Sequence, residues 1–217
     1  MNTVNKNSNL MPPRGRTKVR KSLLRRAAIL HHALAIFDRR GFAHTSLDEI
    51  AKEAGLRREG IYYYFRNKSE ILLHIIRPQS KALLERLKNI VDSEGSSRGK
   101  LYLAIHNHLM QFDRNCLEMT VSLRDVYLEG AGDVRREMNE IWQAYESMWI
   151  RLVADGQAAG EFAHRGDPKM VAFGILGMCN WLARWYDPRK SATVEELIKT
   201  YFEMIADGLV SGRQPAP

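Results

Sequence analysis

Ala54-Gly-Leu-Arg-Arg-Glu-Gly-Ile-Tyr-Tyr-Tyr-Phe-Arg-Asn-Lys68 is the stretch that decides the fold. Just before it, Leu47, Ile50, Ala51 and Ala54 recur at helical spacing, Gly55 stops them, and a second run starts at Arg58. Two short helices joined by a tight glycine turn form a helix-turn-helix pattern. The spacing predicts helices over Leu47–Ala54 and Arg58–Tyr64. Ser46-Leu-Asp-Glu49 opens the first as a capping box, in which hydroxyl and carboxylate satisfy each other's backbone amides. In such a pair the first helix crosses the DNA backbone and the second offers its N-terminal residues to base edges.

Working outward, Ile29, Ala33, Ile36 and Phe37 repeat at helical spacing, with Leu23, Leu30 and Leu34 widening the face and Gly41 ending it. Periodicity begins near Val19. Residues 1–20, with Pro12-Pro13, Arg14 and Arg16, are expected to form a flexible basic arm, and residues 21–68 the DNA-binding domain. The arm, Arg14–Lys21, either reaches an adjacent minor groove or only aids solubility. Charge follows the same division. Residues 1–75 hold 15 Lys and Arg against 6 Asp and Glu, a net +9, while residues 76–217 come to −1. A basic module on a neutral body reads as nucleic-acid binding plus a second task.

Residues 69–217 read as helix after helix. A fourth helix starts after Asn67 and runs to about Val91, with Pro78 expected to kink or break it. Helices follow over Lys100–Arg114 and Cys116–Leu128. A long one carries Met138, Ile141, Tyr145, Met148 and Leu152. Another opens at Asp167-Pro168 and ends near Tyr186, apolar nearly all round. The last carries Val194, Ile198, Tyr201, Ile205 and Leu209. The fold class is all-α, about nine helices, with an N-terminal three-helix DNA-binding domain and a C-terminal helical domain. No stretch approaches the roughly 18 apolar residues of a membrane span, and no signal-peptide pattern opens the chain. Cys116 and Cys179, far apart among apolar neighbours, read as free thiols of a reducing compartment, so a cytoplasmic protein is expected. There is no G-x-S-x-G, H-E-x-x-H, phosphate loop or C-x-x-C. His106 and His108 are two apart, His31 and His32 adjacent, so neither pair shares a helix face. No catalytic residue, metal site or required cofactor is expected.

Residues 29–75 resemble the TetR family of bacterial transcriptional regulators. The resemblance rests on Ile29, Ala33, Phe37, Gly41-Phe42, Thr45-Ser46, Ile50-Ala51, Ala54-Gly55, Ile61-Tyr62-Tyr63-Tyr64-Phe65 and Lys68. It implies a homodimer that binds double-stranded operator DNA, with a C-terminal domain holding a small-molecule effector and the dimer interface. By resemblance, Thr45 and Ser46 meet a phosphate, Arg58, Gly60 and Tyr63 face the groove, and Lys68 is a phosphate-binding lysine. Tyr64 reaches the DNA backbone, while Tyr62 and Phe65 fill the small core. Arg57 stands where the family has a capping Ser, and Gly60 where it commonly has Thr. Glu59 is repelled by phosphate yet suits a helix N-terminus.

The C-terminal half, with Asn180-Trp181 and Trp185-Tyr186, resembles a TetR subgroup that responds to acyl-coenzyme A thioesters. On that resemblance, Trp142, Tyr145 and Trp149 share a helix side, and Phe112, Met119, Leu123, Phe173 and Trp181 complete an apolar cavity. Arg184, with Arg189 and Lys190, meets phosphates at its mouth. Ala172, Gly174, Gly177 and Ala183 permit close helix approach in a dimeric four-helix bundle, in which the last helix, with Ile198, takes part. An efflux-type regulator answering drug-like hydrophobes is the alternative, and a helical interaction module without DNA is a third reading.

Overall fold

The computed structural model describes residues 14–110, 132–164, 166–186 and 192–209. Among these there are eight α-helices and no β-strand, and the chain divides into two compact units at Arg66 and Asn67.

The first unit holds α1 (Arg14–Arg40), α2 (Leu47–Glu53) and α3 (Arg58–Tyr62). Ile29, Ala33, Ile36 and Phe37 of α1 meet Ile50, Ala51, Ile61 and Phe65 in one buried core. Helix α1 starts at Arg14, ahead of the expected Val19, so residues 14–20 of the expected arm are helical. Arg and Lys are good helix formers, and no Gly or Pro follows Gly15 until Gly41. Gly41 ends α1 with φ 78°, its N–H donating to Phe37 O at 2.8 Å. The capping box forms as expected: Ser46 N–H donates to Glu49 Oε2 (2.8 Å) and Glu49 N–H to Ser46 Oγ (3.2 Å). Gly55 sits at φ 64°, where a β-carbon is strained, and Arg25 Nη2 from α1 braces its carbonyl at 3.3 Å. Helix α3 stops at Tyr62, earlier than expected, because the N–H groups of Tyr64 and Phe65 both return to Ile61 O.

The second unit holds α4 (Lys68–Asp92), α5 (Ser97–Met110), α6 (Gly132–Ala158), α7 (Pro168–Trp185) and α8 (Val194–Leu209). Helix α4 packs most extensively on α6, α6 on α7, and α5 bridges α4 and α8. Pro78 lies inside α4 without breaking it. Proline gives the turn before it no N–H, a cost of about 3 kcal/mol. Buried Leu72, Leu73 and Ile76 on one side and Leu84, Leu87 and Val91 on the other hold the helix through it. Helix α5 begins three residues before Lys100. The Glu161 carboxylate, from the loop after α6, accepts from Ser97 Oγ (3.1 Å) and Arg98 N–H (3.4 Å) and so caps its first turn. Near that loop Gly156 lets the Phe162 ring against the backbone: a β-carbon there would lie 2.2 Å from it. The helix expected over Cys116–Leu128 lies outside the described residues.

Candidate DNA-reading face and buried aromatic cluster

Arg57 and Arg58 open α3, both exposed, and Tyr63 just past its end is 76% exposed. Arg57 occupies the N-cap position with no side-chain cap bond, as a residue lacking an acceptor must. Gly60 has open space beside it beyond Leu56, so α3 is unobstructed at that point. Tyr64 is half-buried with its ring 4.9 Å from that of Tyr63, edge to face. Lys68 is half-buried in the first turn of α4. Phe65 is buried as expected, beneath the Arg26 guanidinium at 4.5 Å. Tyr62 is not in the core: it is 49% exposed, and its hydroxyl beside the Arg58 guanidinium one turn back raises the pKa of that group. With α3 so short, Ile61 and Phe65 suffice to fill the space below it.

The Thr45–Ser46 pair divides. Thr45 is 2% exposed and its hydroxyl donates to Gly41 O at 2.9 Å, tying the loop between α1 and α2. Ser46 is exposed, and its hydroxyl donates to Glu49 Oε2 at 2.9 Å while accepting from Glu49 N–H. Of the two, Ser46 is the hydroxyl at the surface. The bond from the Ser46 backbone N–H holds the Glu49 carboxyl below the usual carboxylate range, helped by the Ser46 hydroxyl and by Arg40.

In the second unit Tyr145 and Trp149 are buried and meet a residue the sequence reading set aside, His108. The Tyr145 hydroxyl lies 2.9 Å from His108 Nδ1, and His108 Nε2 lies 3.2 Å from Asn180 Oδ1. An amide oxygen only accepts, so Nε2 donates to Asn180, and in a neutral ring Nδ1 then accepts from the phenol. The His108 ring stacks on Tyr145 at 6.0 Å and meets Trp149 edge-on at 6.2 Å. Burial pushes the Tyr145 phenol far up, so it stays protonated, and pushes the Cys179 thiol up to about 12. The Trp149 indole N–H lies near the same phenol oxygen but reaches no acceptor in ordinary hydrogen-bond geometry among the described residues. His108 was legible after all. Leu101, Ala104, Ile105 and His108 follow the spacing of one buried helix face, a signal lost when the two histidines are compared only with each other.

The other expected ligand residues are not gathered there. Trp142 is half-buried. Phe173 is exposed beneath Lys169, and Trp181 is 62% exposed with the Arg184 guanidinium 5.9 Å from its ring. Both lie on the outer face of α7 with Met170, Gly174, Gly177 and Trp185, whereas Ala172, Ile175, Leu176, Cys179 and Leu182 face inward. Each residue turns the helix by about 100°, so Phe173, one residue after inward Ala172, and Trp181, two after inward Cys179, are carried round to the outer side. Ile198 of α8 is likewise core, 1% exposed, and not a surface residue. A crevice lined by Leu109, Leu182, Tyr186, Val194 and Leu197 has no room for a water molecule. Phe112, Met119, Leu123, Arg189 and Lys190 lie outside the described residues.

Among the described residues no group of three or more His, Cys, Asp and Glu can hold a metal ion, and no helix is long and apolar enough to cross a membrane. The family model described as "Bacterial regulatory proteins, tetR family" matches residues 29–75, and "Tetracyclin repressor-like, C-terminal domain" matches residues 94–209. The chain is 27% identical over 188 residues to the HTH-type transcriptional repressor KstR2 of Rhodococcus jostii, covering 86% of this chain and 92% of the relative. It is 25% identical over 185 residues to the fatty acid metabolism regulator protein of Bacillus subtilis, covering 83% and 93%. The structure of AibR in complex with isovaleryl coenzyme A and operator DNA shares the fold, with TM-score 0.68, 22% identity and coverage of 83% of this chain and 97% of that one. With both of its parts matched, the chain belongs to the TetR family of bacterial transcriptional regulators, which are DNA-binding transcription factors and not enzymes.

Proposed function

We propose that the protein is a homodimeric repressor that leaves its operator when an acyl-coenzyme A thioester binds the second unit. The DNA half of this reading is carried by the exposed set of Arg57, Arg58 and Tyr63 on a module of net charge +9. Arg58 is suited to guanine O6 and N7, Tyr63 to a phosphate or a thymine methyl, and Lys68, Ser46 and Tyr64 to the DNA backbone. The apolar outer face of α7 supports the dimer: Met170, Phe173, Trp181 and Trp185 are large and exposed, and Gly174 and Gly177 have open space above them for a second helix. Two heads about 34–36 Å apart then meet successive major grooves.

The effector class draws on relatives. The KstR2 and Bacillus subtilis proteins are a repressor and a regulator of fatty acid metabolism, and AibR holds isovaleryl coenzyme A together with operator DNA in its structure. In this chain the aromatic cluster of Tyr145 and Trp149 is buried and packed, so an acyl chain would bury apolar area against it, at roughly 25 cal/mol per Å², only once the helices around it part. His108 and Tyr145 add polar groups beside it. Arg184, the cation expected to meet the nucleotide phosphates, is exposed over Trp181 on the outer side of α7. No separate cofactor is required, and the effector itself is the small molecule bound. Helix α4 starts two residues after the DNA-binding unit ends, so its displacement is the covalent route from effector to reading head. A coupling of about 1–3 kcal/mol makes a usable switch.

The test is fluorescence polarisation on a duplex enriched by the protein from a random-sequence library, with acyl-coenzyme A esters of graded chain length as competitors. Thioesters should release the duplex, and free acid and free coenzyme A should each act far more weakly. Release by lipophilic cations, with no response to any thioester, would replace this effector by the drug-like hydrophobes of efflux regulators.

A further inference from the structure

Three carboxylates of α2 meet three arginines, in two directions. Glu53 pairs with Arg39 at 2.9 Å and Glu49 with Arg40, both arginines in the last turn of α1. Asp48 points the other way, its Oδ1 3.3 Å from Nε of Arg58 in the first turn of α3. Helix α2 is therefore fixed to the scaffold by two acids and presents the third to Arg58, in the first turn of the reading helix. An ion pair centred on Nε leaves Nη1 and Nη2 outside the contact, as a planar pair of donors for a planar pair of acceptors. That edge is the one that reads guanine O6 and N7.

We infer that Asp48 is a specificity-determining positioning residue: it holds Arg58 by Nε so that the Nη edge meets one base pair in a fixed orientation. This rests on the reading of Arg58 as a base contact. Its second consequence is electrostatic. A carboxylate on the DNA side of the domain weakens binding to phosphate of any sequence, so Asp48 lowers affinity for random DNA while sharpening discrimination. Both side chains of the pair are half or more exposed, so the pair is worth little for folding and its retention has to be sought in binding.

The experiment uses the full-length protein, the library-selected duplex, its complete set of single-base-pair variants and a shuffled duplex of equal length. Arg58→Ala identifies the position that Arg58 reads, as the one where discrimination collapses. Asp48→Asn should relax discrimination at that same position about tenfold and bind the shuffled duplex as tightly as wild type or more tightly. Asp48→Glu keeps the charge but moves it by one methylene, and should relax the same position without tightening the shuffled duplex. If Asp48→Asn shifts every duplex by one common factor and leaves the position profile intact, Asp48 is only a repelling charge and the inference fails. If Arg58→Ala leaves the profile intact, the base-contact reading falls and the inference with it.

Discussion

Tyr63, just past the end of α3, and Trp149, inside α6, are both large aromatic residues, yet one is 76% exposed and the other fully buried. The contrast extends to their surroundings. The first unit keeps its chemistry outside, on Arg57, Arg58 and Tyr63, and uses a small apolar core only to orient it. The second keeps polar chemistry inside, at His108 and Tyr145 with half-buried Asn180 beside them, and leaves apolar side chains outside along α7. On the proposed function the contrast has a reason: DNA is a charged partner met at a surface, whereas a hydrophobic effector and a second subunit would require apolar area taken out of water.

Removing each aromatic should sharpen that contrast most strongly. Trp149→Ala should destabilise the second unit by about 3–5 kcal/mol in urea denaturation, since it empties a fully packed site. Tyr63→Ala should change stability by less than about 0.5 kcal/mol and lose operator affinity instead. Equal stability losses for the two would dissolve the distinction.

The next effect concerns α7 and α8. Trp181→Asp should yield a folded monomer in sedimentation, with operator affinity down at least about a hundredfold, because each head alone covers one half-site. Ile198→Asp should unfold the protein, because it places a charge in the core. A folded, dimeric Trp181→Asp variant with intact operator binding would show that the outer face of α7 is not the interface.

Smaller effects belong to single DNA contacts. Arg58→Ala should cost about 1–3 kcal/mol of operator binding, with discrimination relaxed at one position. Lys68→Ala should weaken all sequences alike and reduce the salt slope by about one. A flat response to both, in titrations from low to high salt, would leave α3 without a reading role.

The smallest effect is a pH dependence of stability. Backbone and side-chain hydrogen bonds from Ser46, Ser97 and Thr193 hold the carboxyls of Glu49, Glu161 and Glu196 below their usual range, and Lys81 and Arg77 do the same for Glu137. A lowered folded-state value means stability is fully present above the unfolded carboxylate range and is lost as pH falls through the folded value. Thermal unfolding should therefore be flat near neutrality and decline in the acid range. Glu161→Gln should flatten the decline of the second unit and Glu49→Gln that of the first. A decline that begins near neutrality would implicate histidine instead.

Much of the first unit was legible because its signals are local. The capping box, the glycine stops at Gly41 and Gly55, and the core spacing of Ile29, Ala33 and Phe37 act within a turn or two of chain. The outward placement of Arg58 and Tyr63 was implied by the family resemblance, and both are exposed. Tyr62 and Thr45 did not follow. Which of three consecutive tyrosines is covered depends on where α3 stops, and whether a loop hydroxyl faces water depends on the carbonyl of Gly41 beside it.

What the sequence determined by itself is the all-helical class, the helix-turn-helix and the uneven charge, all consequences of periodicity, turn chemistry and counting. Tertiary structure decided which face of an apolar helix is inside. Helix α7 is apolar nearly all round, so no periodicity separates the inward Leu176 and Cys179 from the outward Phe173 and Trp181. It also decided the long-range polar pairs: His108 with Tyr145 and Asn180, Glu161 on the first turn of α5, and Asp48 on Arg58. Such contacts depend on distances between helices that no local propensity encodes, because the free energy that sets them comes from packing whole faces together.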